Sequence, residues 1–479
     1  GPPATMVQQL IFNGLVRLDT KLRVVPDGAS SWSISKNHRV YTFHIRPNLR
    51  FADGSRVTAY DFAWSMNRAF RAQFLDGNTD YFLRHIVGGI AVTNGSARTV
   101  SGIKVLGRGT LQITTDTPTA AFLDQLTYQG AAVVPARLIR KYGSSWTNHA
   151  VGTGPFFVRN IKSGSQIDLS PNRYYWRGKP HVNIRIVLAP SASVAYDMYR
   201  AGKLDIAGSQ QFPVQRIRAD QRRPDFHEAP KLQTDYLVSN ERHKPFDSVD
   251  VRRAFALAFD RYTLANGVLR ESRYPARGIM PPGLPGYDPG ARGQYLDPKL
   301  SARLLARAGY PNGNDFPKVS LSVDASDPYG ESEALALTRA WKKNLHVNVG
   351  ITKLDQTSYS SRLTALNFQL AFVEWAQDYP DPQDFLSLQL QTGASHNIGG
   401  FSNRQFDQLT SRADTLFGND RMRYRLYRQA ETIALGQAAW IVMDWGKTVC
   451  LIRPSVHGLI LNGDGLTAPN WAAVTMAKS

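Results

Sequence analysis

Residues 318 to 376 alternate strand and helix with almost no slack, and that rhythm narrows the folds open to the chain. KVSLSVD reads as a strand, SEALALTRAWKKNL as a helix, VNVGITKLD as a strand, YSSRLTAL as a helix and FQLAFVEWA as a strand. Alternation at this spacing predicts a mainly parallel α/β sheet with crossover helices. Ligands of such sheets gather beyond the carboxyl ends of strands. The sequence there is WAQDYPDPQDF, which places Asp378, Asp381 and Asp384 beside Trp375 with Pro380 and Pro382 between them. Proline fixes φ and extends the residue before it, so this is a stiff loop. It either holds a cationic group or is a solvated turn that caps a helix.

The chain has 479 residues, 42% hydrophobic and 20% charged, enough for two or three domains with ample cores. No run of about 18 apolar residues predicts a membrane span. The start, GPPATMVQQL, lacks the basic and apolar regions of a signal peptide, so the protein is expected either to be cytoplasmic or to have lost a leader. The single cysteine, Cys450, lies in TVCLIRP, and a buried, inert thiol is expected. A net charge of +19 raises nucleic acid or an anionic membrane as partners. The basic residues are dispersed, however, and the densest patches, Arg216 to Arg223 and Arg421 to Arg428, resemble exposed helix faces. With no zinc-finger spacing, RNA-recognition motif or basic tail, a nucleic-acid partner is not expected.

The N-terminal third looks β-rich. VYTFHI at 40 to 45 is a strand, FADGS at 51 to 55 a turn, and Thr58 to Asp61 opens a helix whose inner face carries Phe62, Met66, Ala69 and Phe70. From 151 the texture changes. VGTGPFFVRNI turns into a strand, QIDLS and VNIRIVLA supply two more, and a helix over 193 to 202 precedes LDIA. TDYLVSN at 234 to 240 is a strand leading to a helix with Val251, Phe255, Leu257 and Phe259 mostly inward. No GxSxG elbow, GxxxxGK[ST] loop or HExxH helix occurs, and no histidines pair at metal-ligand spacing. Asp378 with Asp381 or Asp384 is the one acid/base pair a hydrolase could use.

Several segments together resemble one family. YTFHIRPNLRFADGSRVTAYDFAWSMNRAF, VGTGPFFVRNI, SPNRYYWRGKP, DVRRAFALAFDR, GIMPPGLPGY, LLARAGYP and WAQDYPDPQDF follow the order found in solute-binding proteins of peptide ABC transporters, the dipeptide and oligopeptide type, family 5. The resemblance runs from about residue 8 to about residue 460. It implies a bilobal periplasmic-binding-protein type II fold, with an extra domain inserted in lobe I. By analogy lobe I comprises 1–20, 151–238 and 448–479, the inserted domain 21–150, and lobe II 239–447. The crossovers near Val238 and Thr448 would form the hinge.

The same resemblance implies a receptor rather than an enzyme, with no cofactor, acting as a monomer with a membrane permease as partner. The location it implies is periplasmic or extracellular, with a lipid anchor to the cell membrane as one form. Asp378 matches the aspartate that receives a peptide's α-ammonium, and Trp375 a pocket aromatic. Main-chain groups of Glu374 and Ala376, with Gln377 following, would pair with the peptide backbone. Asn13 and Gly14 match the opposite pairing segment, and Tyr236 and Asn240 the strand entering the hinge; Tyr236 could equally be core and Asn240 a turn former. Phe372 stands where oligopeptide members carry an arginine, which leaves the ligand carboxylate without an assigned partner; Arg362, His396 and Arg404 are candidates. The family also takes oligosaccharides, metal chelates, haem and opine-like molecules, so a non-peptide solute is the alternative.

Overall fold

The computed structural model describes residues 2–71, 82–149, 151–208, 212–327, 329–466 and 471–477. Strands β1 (Ala29–Ile34), β2 (Val40–Ile45), β3 (Ile103–Gly107) and β4 (Thr110–Thr114) form an antiparallel sheet in the order β1-β2-β4-β3. β2 is the expected VYTFHI, residue for residue. Its alternation turns Tyr41, Phe43 and Ile45 inward, where Phe62, Met66 and Phe70 of helix α1 (Ala59–Ala69) meet them. At the start of α1 the Asp61 carboxylate accepts from the Thr58 N–H at 2.8 Å and from its hydroxyl at 2.9 Å, so the acid caps the helix. Gly54 takes φ +88 in the FADGS turn, and a Cβ there would press on the Tyr174 ring. Two separated motifs therefore touch. Phe122 of the short helix α2 (Phe122–Gln125) joins the same core.

Next come β5 (Phe156–Lys162), β6 (Gln166–Pro171) and β7 (Ile184–Val187) as a three-stranded antiparallel sheet, then helix α3 (Ala192–Arg200) and the short β8 (Ile206–Ala207). The glycines of VGTGP exist for close approach: the Gly154 N–H donates to the Ile11 carbonyl at 2.7 Å, and a side chain at Gly152 or Gly154 would collide with residue 11.

The largest sheet adds β9 (Phe226–Ser239), β10 (Arg273–Pro275), β11 (Val319–Asp324), β12 (Val349–Leu354), β13 (Leu370–Ala376) and β14 (Ile441–Ile452) to β8. Its order is β8-β14-β9-β13-β11-β12, with β10 also on β14. Only the β11–β12 and β11–β13 pairs are parallel. The sheet is thus mixed, not mainly parallel. The crossover rhythm sets the three strands it connects, while β9 and β14 arrive from distant parts of the chain and pair antiparallel.

One face packs on α4 (Val249–Leu257), α5 (Pro298–Arg307) and α6 (Gly330–Leu345), with Trp341 fully enclosed. The other face packs on α7 (Gln356–Thr364), α8 (Pro382–Phe385), α9 (Arg404–Asp414) and α10 (Asp420–Gly436). Within β13, Leu370 and Phe372 face the first set, and Ala371, Val373 and Trp375 the second.

β9 and β14, 14 and 12 residues long, tie this body to the N-terminal lobe, where Cys450 and Ile452 pack with Phe156 and Leu10. Cys450 is buried as expected, and burial pushes its thiol up to about 12. The β9–β14 ladder breaks between Pro230 and Thr234. Val238, by contrast, pairs with Ala371 well inside the large mixed sheet. The arginines of 421–428 are not one exposed face: Arg421, Arg425 and Arg428 are exposed, but Arg423 is buried at 4% exposure. Its charge is matched by Asp381, a partner that helix periodicity cannot reveal.

Candidate ligand-binding site

β13 ends in an unfinished edge. The Gln369 carbonyl accepts from the Asn240 N–H at 3.0 Å, and the Gln377 N–H donates to the Leu232 carbonyl at 2.9 Å. Odd-numbered residues therefore bond to the β9 side, and strand alternation turns the main-chain groups of Phe372, Glu374 and Ala376 to the other edge. β11 covers that edge only as far as Ala371, opposite Ser322. The Phe372 carbonyl takes the Tyr359 hydroxyl. Among the described residues, Glu374 and Ala376 are left with an open edge that runs toward Asp378.

The loop after that edge is held by its own acids. Asp384 is fully buried, and its Oδ2 accepts from the Trp375 indole N–H at 3.2 Å and the Asp378 N–H at 3.0 Å. Burial, then the Asp378 charge, push its carboxyl well above the usual range. Asp381 accepts from the Gln383 N–H at 2.9 Å, capping α8, and both its oxygens receive Arg423 at 2.6 Å. These placements remove the hydrolase pair: Asp381 and Asp384 are buried structural groups, and Asp378 alone remains half-buried at the end of the edge.

Acidic groups surround the edge. Asp235, opposite both Glu374 and Asp444 in the ladders, makes a rung of three carboxyls on one sheet face. Gln233 donates to Asp235 at 2.6 Å and to Glu374 at 3.1 Å. Arg273 lies 3.1 Å from Asp235 and 3.4 Å from Asp444. Burial works against the Arg273 charge, yet these two carboxylates hold it firmly protonated. Burial, followed by repulsion from Asp235, pushes Asp444 well up and Glu333 of α6 to about 8. Gln377 donates to Asp464 at 3.1 Å; this acid sits in the hairpin over 461–466 and is pushed to about 6 by burial.

The half-buried Trp375 indole lies 5.2 Å from the His396 ring. His396 lines a cavity of about 690 Å³ between the end of α7 and the loop over 392–402, together with Leu363, Leu366 and Arg242. Burial lowers the His396 pKa.

Other expected residues land elsewhere. Tyr236 is 2% exposed and stacks on Trp440 with centroids 3.5 Å apart, so its ring is core. Asn240 is a turn former, donating to the Leu366 carbonyl at 2.9 Å and accepting from the Arg242 N–H at 3.2 Å. Asn13 donates to Asp27 at 2.8 Å, and its carbonyl accepts from Val133. The Gly14 carbonyl accepts from Gly28. Neither carbonyl is an open edge. Phe372 faces the α4–α6 core, and Arg404 is exposed at the start of α9. Arg362 is half-buried in the last turn of α7. Asp235, Asp444, Arg273 and Asp464 were missed. A lone aspartate in the apolar run IVMDWG was the available signal for Asp444.

Buried acids fix the sign of the pH response. Burial raises Asp27 and Asp464 to about 6, Glu241 and Glu431 to about 7, and Asp124 and Glu333 to about 8. Raised acids favour the fold while protonated and lose that contribution as pH climbs through the folded values. His396 opposes this below 6.5, and Arg-paired acids such as Asp225 matter only below 3.8. The thermal midpoint will therefore rise when pH is lowered from about 8 to about 5.5. A differential scanning calorimetry series checks it, and a flat or falling midpoint contradicts it.

Two lobes threaded by the same pair of long strands are the architecture of hinge-closing solute receptors. The comparison of sequences makes the family definite: the chain belongs to the bacterial extracellular solute-binding proteins, family 5, whose model matches residues 23–397. It is 30% identical to the probable deoxycholate-binding periplasmic protein YgiS of Escherichia coli, over 94% of this chain and 85% of that protein. It is 28% identical to the periplasmic oligopeptide-binding protein OppA of Escherichia coli, over 96% of this chain and 86% of that one. Among solved structures, the Escherichia coli murein tripeptide-binding protein MppA superposes with a TM-score of 0.83 at 27% identity, covering 100% of this chain and 95% of that one. These relatives are named as binding proteins.

Proposed function

We propose that the protein is an extracytoplasmic receptor of an ABC importer that captures short peptides between its lobes. The observation that carries this is the open edge of Glu374 and Ala376 ending at Asp378. A peptide laid on that edge would pair main chain to main chain whatever its side chains, and bring its α-ammonium to the Asp378 carboxylate. A residue side chain would enter the cavity beside Trp375 and His396. Arg273 balances the Glu374, Asp235 and Asp444 rung, so the rung itself sets no charge preference for the ligand.

Closure would swing the lobes about the break in the β9–β14 ladder between Pro230 and Thr234, in preference to Val238 and Thr448. Ligand preference for the closed state drives it. Location in the periplasm or outside the cell, a lipid anchor and a permease partner follow from the family reading. A second reading, a non-peptide solute, draws on the similarity to a deoxycholate-binding protein and on Phe372 in place of an arginine.

Thermal shift with pooled di- to hexapeptides, each free and N-acetylated, tests the proposal. Free-amine peptides will raise the melting temperature, and acetylated ones will not. Asp378→Asn will remove the distinction. Equal shifts from both forms, or none from a ligand-free preparation, would sink the peptide reading.

A further inference from the structure

On the opposite sheet face from the acidic rung lies a second cavity, of about 160 Å³, between β14, α10 and the loop over 275–291. Trp445 follows Asp444 in β14, so alternation sends the two side chains to opposite faces. Glu431 of α10 forms the inner end, 5% exposed. Its Oε1 accepts from the Ile279 N–H at 2.7 Å and the Met280 N–H at 2.8 Å. Its Oε2 has no hydrogen-bond partner among the described residues. Trp445 and Tyr287 wall the cavity with rings at 86°, centroids 5.6 Å apart. The indole is fixed, since its N–H donates to the Gly278 carbonyl at 3.1 Å. A Cβ at Gly278 would crowd Glu431 Oε1, so glycine keeps the inner end open.

Among the described residues no cation is ion-paired with this buried carboxylate. Arg428, the cation that acts on it, is committed to the Gly286 carbonyl at 2.7 Å, and Arg277 is exposed at the rim. Asp288 adds a second negative group to the lining. A carboxylate this buried with no paired cation is costly, in keeping with a carboxyl that burial pushes up to about 7. An anion entering here would meet two acids against one exposed rim arginine, and a neutral molecule would leave the Glu431 charge uncompensated. The face of an aromatic ring attracts a cation, most strongly a weakly hydrated organic one. The volume equals roughly five water molecules at about 30 Å³ each, too little for a peptide.

We propose that this cavity is a binding site for a small organic cation of the methylated-ammonium type, with Glu431 as counter-ion and Trp445 and Tyr287 as walls. It is independent of the Asp378 site and would exist whatever the transported solute is.

The probe is choline, against its uncharged isostere 3,3-dimethylbutan-1-ol, titrated into the full chain at constant ionic strength and followed by Trp fluorescence and calorimetry. Choline will bind saturably and the alcohol at least about tenfold more weakly. Asp378→Asn will leave this binding unchanged. Glu431→Gln will weaken it about tenfold or more. Because Glu431 also holds two amides, Tyr287→Leu serves as a second variant that leaves those bonds in place, and it will weaken choline binding severalfold. Absent or non-saturable choline binding, equal binding of the alcohol, or unchanged affinity in both variants would overturn the proposal.

Discussion

Replacing Arg423 by leucine will cost about 3–5 kcal/mol of stability, the range for removing one partner of a buried ion pair. Arg423 and Asp381 are 4% and 3% exposed and share two bonds of 2.6 Å, while a further Arg423 nitrogen donates to the Ala413 carbonyl at 3.2 Å. Leucine would leave the Asp381 charge in a site where Asp124, Asp384, Asp414 and Tyr427 are all pushed up, so no neighbour can take over. Burial opposes the arginine's charge, but Asp381 outweighs it and holds the guanidinium protonated far above its ordinary range. The double variant Arg423→Leu with Asp381→Asn will recover a large part of the loss, because the stranded charge goes with it. Arg421→Ala and Arg425→Ala, on the exposed side of the same helix, will stay within about 0.5 kcal/mol. The readout is the urea midpoint of the transition that melts lobe II. A loss under about 1 kcal/mol for Arg423→Leu would mean that water reaches the pair.

That contrast within one helix shows where sequence stops. Arg421, Arg423, Arg425 and Arg428 look alike in a periodic pattern, and only the carboxylate opposite, 42 positions away in the chain, separates the buried one. Short-range signals were legible: VYTFHI became β2, and the strands and helices of 318–376 stand where their periodicity put them. The partners of β9 and β14 were not. Antiparallel pairing between 226–239 and 441–452 is a long-range choice that local alternation does not encode. The candidate site divides the same way. Proline spacing and the end of a strand pointed to the Asp378 loop, whereas the acidic rung needs three strands assembled before Asp235, Glu374 and Asp444 become neighbours. Tyr236 and Asn240 were misplaced because being near the site in the chain says nothing about which face a side chain takes.

Tyr379→Ala will weaken ligand binding about 100-fold or more while barely moving the melting temperature of the unliganded chain. Tyr379 follows Asp378 directly and is fully buried, its ring edge-on to Phe82 with centroids 5.7 Å apart, and Phe82 packs on Tyr128 at 4.9 Å. Its hydroxyl donates to Gln383 Oε1 at 3.2 Å, the same oxygen that receives Gln125 Nε2 at 2.9 Å. The Ala120 N–H donates to the Asp414 carbonyl at 2.7 Å, and His38 stacks on Phe417 at 4.2 Å. The Tyr379–Phe82, Gln383–Gln125, Asp414–Ala120 and Phe417–His38 contacts join the N-terminal β1–β4 domain to the body that the chain itself connects to the remainder only through β9 and β14. With the hinge proposed at the break in that ladder, swinging the lobes apart would separate this surface, and its packing would count toward the closed state alone. Deleting a buried aromatic side chain costs about 3–5 kcal/mol. A ligand that binds by closing the lobes would have to supply that energy, and its affinity falls accordingly. Calorimetric titration of a peptide identified by thermal shift, together with the melting curve of the unliganded variant, separates the alternatives. Were the surface packed in both states, Tyr379→Ala would lower the unliganded melting temperature by several degrees and leave affinity intact. The first pattern makes the inserted domain the latch of the receptor, and the second makes it a fixed buttress of lobe II.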